Sequence, residues 1–345
     1  MTSARQQKII TIILANAPIG ISGINEKLDE NISVPTLNRE LSALKSENYI
    51  TASGKGPGIR YEVNKYALSF AAIDADAFFK TDVDERVVIE TFNHEIFSLL
   101  KKHALFTADE TTKLDEATLV YRSKKKKLNA QLFKKEFERL LIELSWKSSQ
   151  IEGNTYDLLD TEQLLKYNIK SDKYTIEEAT MLLNHKKAIE YTMENSSIYK
   201  TLKVRDIIDI HTLLTQKMGI SKILRKRVVR ITGTRYTPPA NPFVIEEALE
   251  KMCGLVNSKK NKYEKAFLAL VFISYIQPFD DGNKRTARLT ANALLMSNNC
   301  CPLSYRSVNT TDYKKATLLF YELNNVLAFK EIFTSQYLFA TENYF

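Results

Sequence analysis

One stretch of the chain, residues 275–288, combines turn-forming residues with a high density of charge in the sequence YIQPFDDGNKRTAR. Gly282 and Asn283 can take tight turn conformations in which backbone N–H groups point toward an anion, and a helix predicted to begin just after them adds the positive end of its dipole. Arg285 and Arg288 are three residues apart, so on a helix they share a face and can hold neighbouring phosphates. The pattern predicts a phosphate-binding site.

The same stretch also carries a carboxylate pair and a third cation. Lys284 adds to the positive charge of the predicted site. Either Asp280 or Asp281 can hold a Mg²⁺ ion that bridges phosphates, because Mg²⁺ is usually bound by one or two carboxylates together with phosphate oxygens. The expected ligand therefore carries several phosphate groups and a metal ion.

Residues 277–288 resemble the signature of the Fic family of AMP-transferring enzymes, His-Pro-Phe-x-Asp-Gly-Asn-(Gly or Lys)-Arg-x-x-Arg, except that Gln277 stands in place of the catalytic histidine. In that family the histidine accepts the proton of a Ser, Thr or Tyr hydroxyl on a target protein while the hydroxyl attacks the α-phosphate of ATP. The resemblance implies that Asp281 holds Mg²⁺ and that Gly282 and Asn283 stabilise charge on the phosphate. ATP, Mg²⁺ and a target protein are thus the implied cofactors and partners.

Gln277 cannot do the work of that histidine. Its amide is neither basic nor titratable near neutral pH, so it can orient a hydroxyl but cannot take its proton. A missing general base costs roughly 10² to 10⁴ in rate. We therefore expect ATP binding to be retained and transfer to be weak or absent. His211, in a predicted core helix, is expected to be structural.

Lys284 bears on which group is transferred. Most AMP-transferring members have glycine at this position, whereas in the Doc branch lysine accompanies a reversed nucleotide and transfer of the terminal phosphate. Asp281 and Gly282 match the AMP-transferring members and favour that orientation. Phosphate transfer is the alternative.

A second motif, WKSSQIEGNTY, lies upstream. Ser148 and Glu152 are four residues apart and share a helix face, while Gly153 and Asn154 form a pair that can end the helix. The motif resembles the inhibitory helix of Fic proteins, written Ser or Thr, three residues, Glu, then Gly or Asn. The resemblance implies that the carboxylate faces Arg288 and occupies the place of the ATP γ-phosphate. From the residues alone, an ordinary capping turn is the alternative.

The first 66 residues predict a winged helix-turn-helix domain. Helices are expected over residues 6–15 and 24–28 and after Ser33, and residues 59–63 read as a hairpin strand. In such a domain the third helix enters the DNA major groove, so residues 33–60 are a candidate DNA interface with contacts from Thr36, Asn38, Arg39 and Lys45. Residues 1–64 hold 7 Lys or Arg and 6 Asp or Glu, a net charge of 7 − 6 = +1 that is small for a DNA reader. A docking or dimerisation module is the alternative.

Residues 67–345 predict an all-helical domain, so the expected fold class is mainly α. Apolar residues three and four apart indicate helices over residues 82–102, 111–127, 132–149, 161–167, 175–193, 204–218, 242–257 and 262–276. Residues 228–240 combine a β-branched run, a glycine and a proline pair, which predicts a short β-hairpin. By resemblance, this hairpin is the flap that holds the target peptide over the nucleotide, with Gly233, Thr234 and Tyr236 in it.

The composition is that of a globular protein, since 44% of the 345 residues are hydrophobic and 26% are charged. No segment approaches the roughly 18 to 20 uninterrupted apolar residues of a membrane span, and the N-terminus lacks the apolar core of a secretory signal. We therefore expect a cytoplasmic protein without a membrane partner. Three cysteines and four scattered histidines lack the spacing of a disulfide framework or a zinc site.

The formal charge of +8 is concentrated in two runs. The first, at residues 122–127, is interpreted as a solvated helix face, because apolar residues resume helical spacing just after it. A nucleic-acid patch is the alternative. The second run, at residues 225–235, is expected to serve the phosphate site.

Two functions fit these features. The first is a Fic-type protein adenylyltransferase that is autoinhibited by Glu152 and weakened or inactivated by Gln277. The second is a catalytically degenerate Fic protein that binds a nucleotide and acts as a DNA-binding transcriptional regulator. Neither function fixes the target protein or decides whether the chain forms a homodimer.

Overall fold

The computed structural model of the chain describes residues 3–30, 32–64 and 68–345. In chain order its helices and strands are α1 (Ala4–Asn16), α2 (Ile21–Lys27), α3 (Val34–Ser46), β1 (Ile50–Ser53), β2 (Arg60–Val63), α4 (Ala75–Lys80), α5 (Ile96–Lys102), α6 (Ala108–Lys127), α7 (Ala130–Ile151), α8 (Leu158–Tyr167), α9 (Ile176–Glu194), α10 (Val204–Leu214), α11 (Pro242–Ser258), α12 (Lys262–Ile276), α13 (Asn283–Ser297), α14 (Thr310–Leu323) and α15 (Leu327–Asn343). Short 3₁₀ turns occupy Gly56–Gly58 and Ser196–Lys200. The predicted mainly α fold class is confirmed.

The chain divides into two compact units. The first comprises Met1–Asn93, Arg230–Tyr236 and Thr311–Glu331. The second comprises His94–Val229, Thr237–Thr310 and Ile332–Phe345. The motifs at 148–154 and 277–288 both lie in the second unit.

The first unit begins with three helices and an antiparallel hairpin, in the order that the sequence predicts. Ser33 accepts a hydrogen bond from the Thr36 N–H at 3.3 Å, which caps α3. Strands β1 and β2 pair in antiparallel register from Ile50 opposite Val63 to Ser53 opposite Arg60. The apolar faces of these elements form a core that includes Ile9, Ile10, Ile13, Ile24, Leu37, Leu41, Leu44, Leu319 and Leu323.

The winged helix-turn-helix assignment stays a prediction. The predicted boundary after residue 66 lies outside the described residues, and the first unit extends past it to Asn93. Beyond the three helices and the hairpin, this unit takes in α4 and most of α14.

Two consecutive helices of the second unit position the candidate site. Helix α12 is apolar on all sides, and every residue from 266 to 279 is buried, as expected for a helix at the centre of a core. Helix α13 packs against α12 and is buried along most of its length. The residues between these helices, 277–282, therefore form a loop anchored at both ends in the core.

The predicted helix over residues 82–102 is wrong in its first half, because the helix begins only at Ile96. Residues 87–89 are Val-Val-Ile, and β-branched side chains lose rotamer freedom in a helix. The Ile89 N–H instead donates to the Glu322 carbonyl oxygen at 2.7 Å, within the first unit. The apolar residues whose spacing suggested a helix lie here in a segment without a helix.

The predicted hairpin over residues 228–240 is also wrong. This segment is fully described and contains no β-strand. It turns at Gly233, whose φ of +84° is in the left-handed region. Pro238 and Pro239 lack the N–H donors that a strand ladder needs, which explains why no strand forms beyond the single bridge residue Thr237. Among the described residues, no helix is long and apolar enough to cross a membrane.

Candidate nucleotide-binding site

The 277–282 loop is built on two residues with left-handed backbones. Gln277 ends α12 with a φ of +50°, and Gly282 precedes α13 with a φ of +80°. A Cβ atom on Gly282 would lie 3.2 Å from the Thr215 Cγ2 and 3.5 Å from the His211 Cδ2. Glycine at 282 is therefore required by backbone conformation and by space, which agrees with the predicted tight turn before the helix.

Side-chain amides hold the loop closed from within. The Asn283 side chain donates to the Phe279 carbonyl oxygen and accepts from the Phe279 N–H, both at 2.8 Å. Its Nδ2 also donates to the Gln277 Oε1 at 3.0 Å. The Gln277 Nε2 donates to the Ser274 carbonyl oxygen at 2.6 Å, so both ends of this amide are hydrogen-bonded. Gln277 is only 8% exposed, and its contacts stabilise the loop.

Arg225 fastens the loop from outside. This arginine is buried, and its guanidinium donates to the carbonyl oxygens of Gln277 at 2.6 Å, Pro239 at 2.5 Å and Arg227 at 2.7 Å. Its backbone N–H donates to the Pro278 carbonyl oxygen at 3.0 Å. A cation beside the carboxyl end of α12 is favoured by the helix dipole. The sequence placed Arg225 in a functional basic run but gave no sign that it anchors residue 277.

His211 packs against the same loop. Its ring stacks on Phe279 with centroids 3.6 Å apart, and its Nε2 lies 3.0 Å from the Asp281 carbonyl oxygen, to which it donates. Burial lowers the pKa of His211 to about 4, so the ring is neutral at pH 7. The contacts fit the predicted structural role, although the sequence could not show that they are made with the loop.

The three cations of the motif differ in their surroundings. Arg288 is fully buried, and its Nη1 donates to the Glu152 Oε1 at 2.9 Å. The Lys284 Nζ lies 3.8 Å from the other oxygen of the same carboxylate. Arg285 is almost fully buried, which lowers its pKa, and it pairs with Asp281 at 3.2 Å. Lys284 and Arg288 thus converge on one carboxylate.

That carboxylate stands at the end of the upstream helix, as the sequence predicted. Helix α7 stops at Ile151, Glu152 follows as the cap, and Gly153 continues with a φ of +97°. The Ser148 hydroxyl accepts from the Arg288 Nε at 2.8 Å, and the Ser148 carbonyl oxygen accepts from Nη2 at 2.7 Å. Arg288 is thereby held along one side of α7, with Glu152 at its tip.

Glu152 is ionised in this arrangement. Burial alone would raise its pKa, but the charges of Arg288 and Lys284 and the hydrogen bond from Arg288 outweigh burial and leave the pKa below its usual value. A charge-assisted pair of this kind is among the stronger polar contacts in proteins.

The turn that follows Glu152 is fixed by a second carboxylate. The Asn154 Nδ2 donates to the Glu178 carbonyl oxygen at 3.1 Å, and the Thr155 N–H and hydroxyl donate to the Glu178 side chain at 2.8 and 2.7 Å. Although burial opposes the shift, these and the Thr175 hydrogen bonds lower the pKa of Glu178 to about 2. The motif is therefore also a well-formed capping turn, so the two interpretations of the sequence are compatible.

The two aspartates of the loop each lie near an arginine. The Asp281 side chain is 65% exposed, and Asp280 lies 3.9 Å from the Arg227 guanidinium. Among the described residues no group of three or more His, Cys, Asp or Glu side chains could enclose a metal ion. One exposed carboxylate fits a Mg²⁺ ion that takes its other ligands from phosphate oxygens and water.

The predicted flap residues lie in the other unit. Tyr236 is buried and packs on Tyr321 with ring centroids 5.4 Å apart. The Gly233 carbonyl oxygen accepts from the Arg86 Nη2 at 2.7 Å, and the Thr234 hydroxyl accepts from the Tyr236 N–H at 3.1 Å. These contacts are all internal to the first unit, so the role of Gly233, Thr234 and Tyr236 over the nucleotide stays a prediction.

The basic run at residues 122–127 makes structural contacts. Arg122 donates to the carbonyl oxygens of Asn298 and Asn299, each at 3.0 Å, just beyond the end of α13. Lys124 donates to the Thr341 carbonyl oxygen at 3.0 Å, near the end of α15. Cations at helix carboxyl ends satisfy free carbonyl groups and favour the dipole. These contacts support the interpretation as a helix face.

Comparison with known sequences finds a matching family model and similar proteins. Residues 201–295 match the sequence model of the Fic/DOC family. The protein adenylyltransferase Fic of Nematostella vectensis is 30% identical over 175 residues, which cover 49% of this chain and 40% of that protein. The protein of the same name from Aedes aegypti is 30% identical over 164 residues, covering 45% of this chain and 32% of that one. The chain therefore matches less than half the length of these relatives.

Solved structures share the fold. The C. elegans Fic-1 structure superposes with a TM-score of 0.57 at 17% identity and covers 72% of each chain. A Fic domain containing signaling protein from Bacteroides thetaiotaomicron gives a TM-score of 0.54 at 18% identity, covering 68% of this chain and 94% of that one. At such low identity, the likeness concerns the fold alone.

Proposed function

We propose, from the match of residues 201–295 to the Fic/DOC family model, that the chain is a Fic-type protein adenylyltransferase that is inhibited by Glu152 and weakened or inactivated by Gln277. It transfers AMP from ATP to a Ser, Thr or Tyr hydroxyl of a target protein. The observation that carries the proposal is the Arg288–Glu152 ion pair at 2.9 Å, which joins two motifs 136 residues apart in the chain.

In this function the loop and the first turn of α13 hold the triphosphate. Backbone N–H groups at the start of α13 face the anion, and Lys284, Arg285 and Arg288 supply the positive charge. Asp281 is the residue that would hold Mg²⁺, which would neutralise phosphate charge. Asp281 would have to release Arg285 to hold the metal, and the Arg285 guanidinium would then be left for the phosphates.

The chemical step requires a proton acceptor at residue 277. The target hydroxyl oxygen bonds to the α-phosphorus, the bond from that phosphorus to the bridging oxygen breaks, and pyrophosphate leaves. The hydroxyl proton must pass to a base, and the Gln277 amide has no basic site for it. His211 is a poor substitute, because its ring is buried and stacked on Phe279 and burial lowers its pKa to about 4. Positioning and charge stabilisation by the loop are retained.

Glu152 restrains nucleotide binding by occupying Arg288. Its carboxylate accepts from the Arg288 Nη1, the group that a γ-phosphate would otherwise engage. A γ-phosphate placed there would also meet a second negative charge. ATP therefore binds weakly or with its phosphates displaced until Glu152 moves away.

We expect Glu152→Gly to strengthen Mg-ATP binding by about 10-fold, the effect of one charge-assisted hydrogen bond restored to the ligand. The affinity for AMP, which has no γ-phosphate, should not change. Isothermal titration calorimetry of both nucleotides against both proteins measures this, with Glu177→Gly on the exposed start of α9 as the control. Equal changes for ATP and AMP, or no gain for ATP, would show that Glu152 is not inhibitory.

DNA binding is the second candidate function, supported by the face that α3 exposes. Leu37, Leu41 and Leu44 point into the core, while Asn38, Arg39 and Lys45 are exposed and Thr36 is half-buried. We expect a duplex from the protein's own promoter region to bind in a salt-dependent manner. Substituting Arg39 and Lys45 together with alanine should reduce the salt slope by about 2. Fluorescence anisotropy with Lys27→Ala as the control tests this, and salt-independent or absent binding excludes it.

A further inference from the structure

His185 lies in α9 (Ile176–Glu194) and is completely buried beside the candidate site. Its Nε2 is 3.0 Å from the Ser148 Oγ. The same oxygen accepts from the Arg288 Nε at 2.8 Å. A chain of contacts therefore runs from His185 through Ser148 to Arg288, and neither of the two sequence motifs contains its first member.

Either partner of this contact can supply the hydrogen. A hydroxyl oxygen has two lone pairs, so the Ser148 Oγ, which already accepts from the Arg288 Nε, can donate to the His185 Nε2 or accept from it. In both cases the contact fixes the position of the Ser148 oxygen. Burial, followed by the charges of Arg288 and Arg285, lowers the pKa of His185 well below its ordinary value and keeps the ring neutral.

This arrangement determines which part of Arg288 faces the ligand. Ser148 takes the Nε of Arg288 through its hydroxyl and the Nη2 through its carbonyl oxygen. The Nη1 is then directed to Glu152, in the place proposed for the γ-phosphate. An arginine that is already oriented loses less side-chain entropy when it binds an anion.

We propose that His185 is a positioning residue for the phosphate site, because its Nε2 forms a hydrogen bond with the Ser148 hydroxyl and so holds the Ser148 oxygen against Arg288. This inference rests on the proposed function, in which Arg288 binds the γ-phosphate. It assigns a role to a histidine that lies 92 residues before the catalytic position in the sequence, on a different helix.

The test uses the Glu152→Gly protein, in which the Arg288 Nη1 is open to ATP. His185→Phe keeps a ring but removes the hydrogen-bonding nitrogen, and His185→Gln places an amide, which can donate or accept, where Nε2 was. We expect Mg-ATP affinity to fall 3- to 10-fold in His185→Phe, about the value of one buried hydrogen bond, and to stay near the parent value in His185→Gln. AMP affinity should be unchanged in both. In a Ser148→Ala background, His185→Phe should cause no further loss.

Three results would overturn the inference. These are equal losses in the Phe and Gln variants, a loss that persists undiminished in the Ser148→Ala background, and no change in any variant. If His185→Phe does not fold, as judged by circular dichroism, His185→Met replaces it as the variant without an acceptor at that position. Failure of the proposed function can be told apart from failure of this inference, because Arg288→Ala would then leave ATP affinity unchanged.

Discussion

AMP incorporation should rise roughly 10²- to 10⁴-fold when Gln277→His is introduced into the Glu152→Gly protein. The loop that carries residue 277 is held by Arg225 and Asn283 through backbone and amide contacts, so an imidazole at 277 enters a prepared position. The Ser274 carbonyl oxygen, which now accepts from the Gln277 Nε2 at 2.6 Å, can accept from one ring N–H instead. The other ring nitrogen then keeps its lone pair for the target's proton.

The measurement is α-labelled AMP retained in precipitated protein, the chain itself included, with Mg-ATP in excess. Gln277→Asn in the same background is the matched control, because asparagine also lacks a base. Adding Arg288→Ala to the histidine variant should return the signal to background. Equal rates with Gln277 and with histidine would mean that this position does not limit transfer and that another group takes the proton.

Mg-ATP affinity should fall roughly 100-fold in Arg288→Ala, a loss of about 2.7 kcal/mol. Arg288 supplies charge-assisted hydrogen bonds from a fully buried position, where water cannot replace it. The substitution also leaves the Glu152 carboxylate without its main cation, so that it repels the triphosphate. Both effects act in the same direction on ATP.

Arg306→Ala is the matched control for Arg288→Ala. Arg306 also pairs with a glutamate, Glu143 at 3.2 Å, but its side chain is 42% exposed and it is not part of the 277–288 motif. Calorimetry should show unchanged ATP affinity for this variant, and circular dichroism should show that both variants are folded. If folded Arg288→Ala retains its ATP affinity, Arg288 does not bind the phosphates of ATP.

Local sequence patterns were sufficient to predict much of the site. The helix predicted over residues 262–276 has those bounds in the structure, because its apolar run is continuous and Asn261 caps it. The sequence also predicted the turn at Gly282 and the helix after it, because Gly282 and Asn283 are residue types that favour tight turns. Ser148 and Glu152 share a helix face, as their spacing of four residues predicted, and their contacts with Arg288 are those that the resemblance to Fic proteins implied.

What the sequence could not supply is the packing of distant residues. His185 and Arg225 contact the site through single hydrogen bonds or carbonyl groups, and no spacing or composition marks such contacts in advance. The wrong hairpin at residues 228–240 has a different origin. The β-branched residues and the glycine gave a strand-and-turn pattern, but Pro238 and Pro239 removed the donors on the returning side.

The position of the label on ATP distinguishes transfer of AMP from transfer of the terminal phosphate. The Glu152→Gly, Gln277→His protein is incubated with Mg-ATP labelled at the α-phosphate or, in parallel, at the γ-phosphate, and the label retained in protein is counted. We expect retention of the α-label alone, because in AMP transfer the target hydroxyl attacks the α-phosphorus and pyrophosphate leaves. Retention of the γ-label would mean that Lys284 goes with a reversed nucleotide and phosphate transfer, and it would contradict adenylyl transfer.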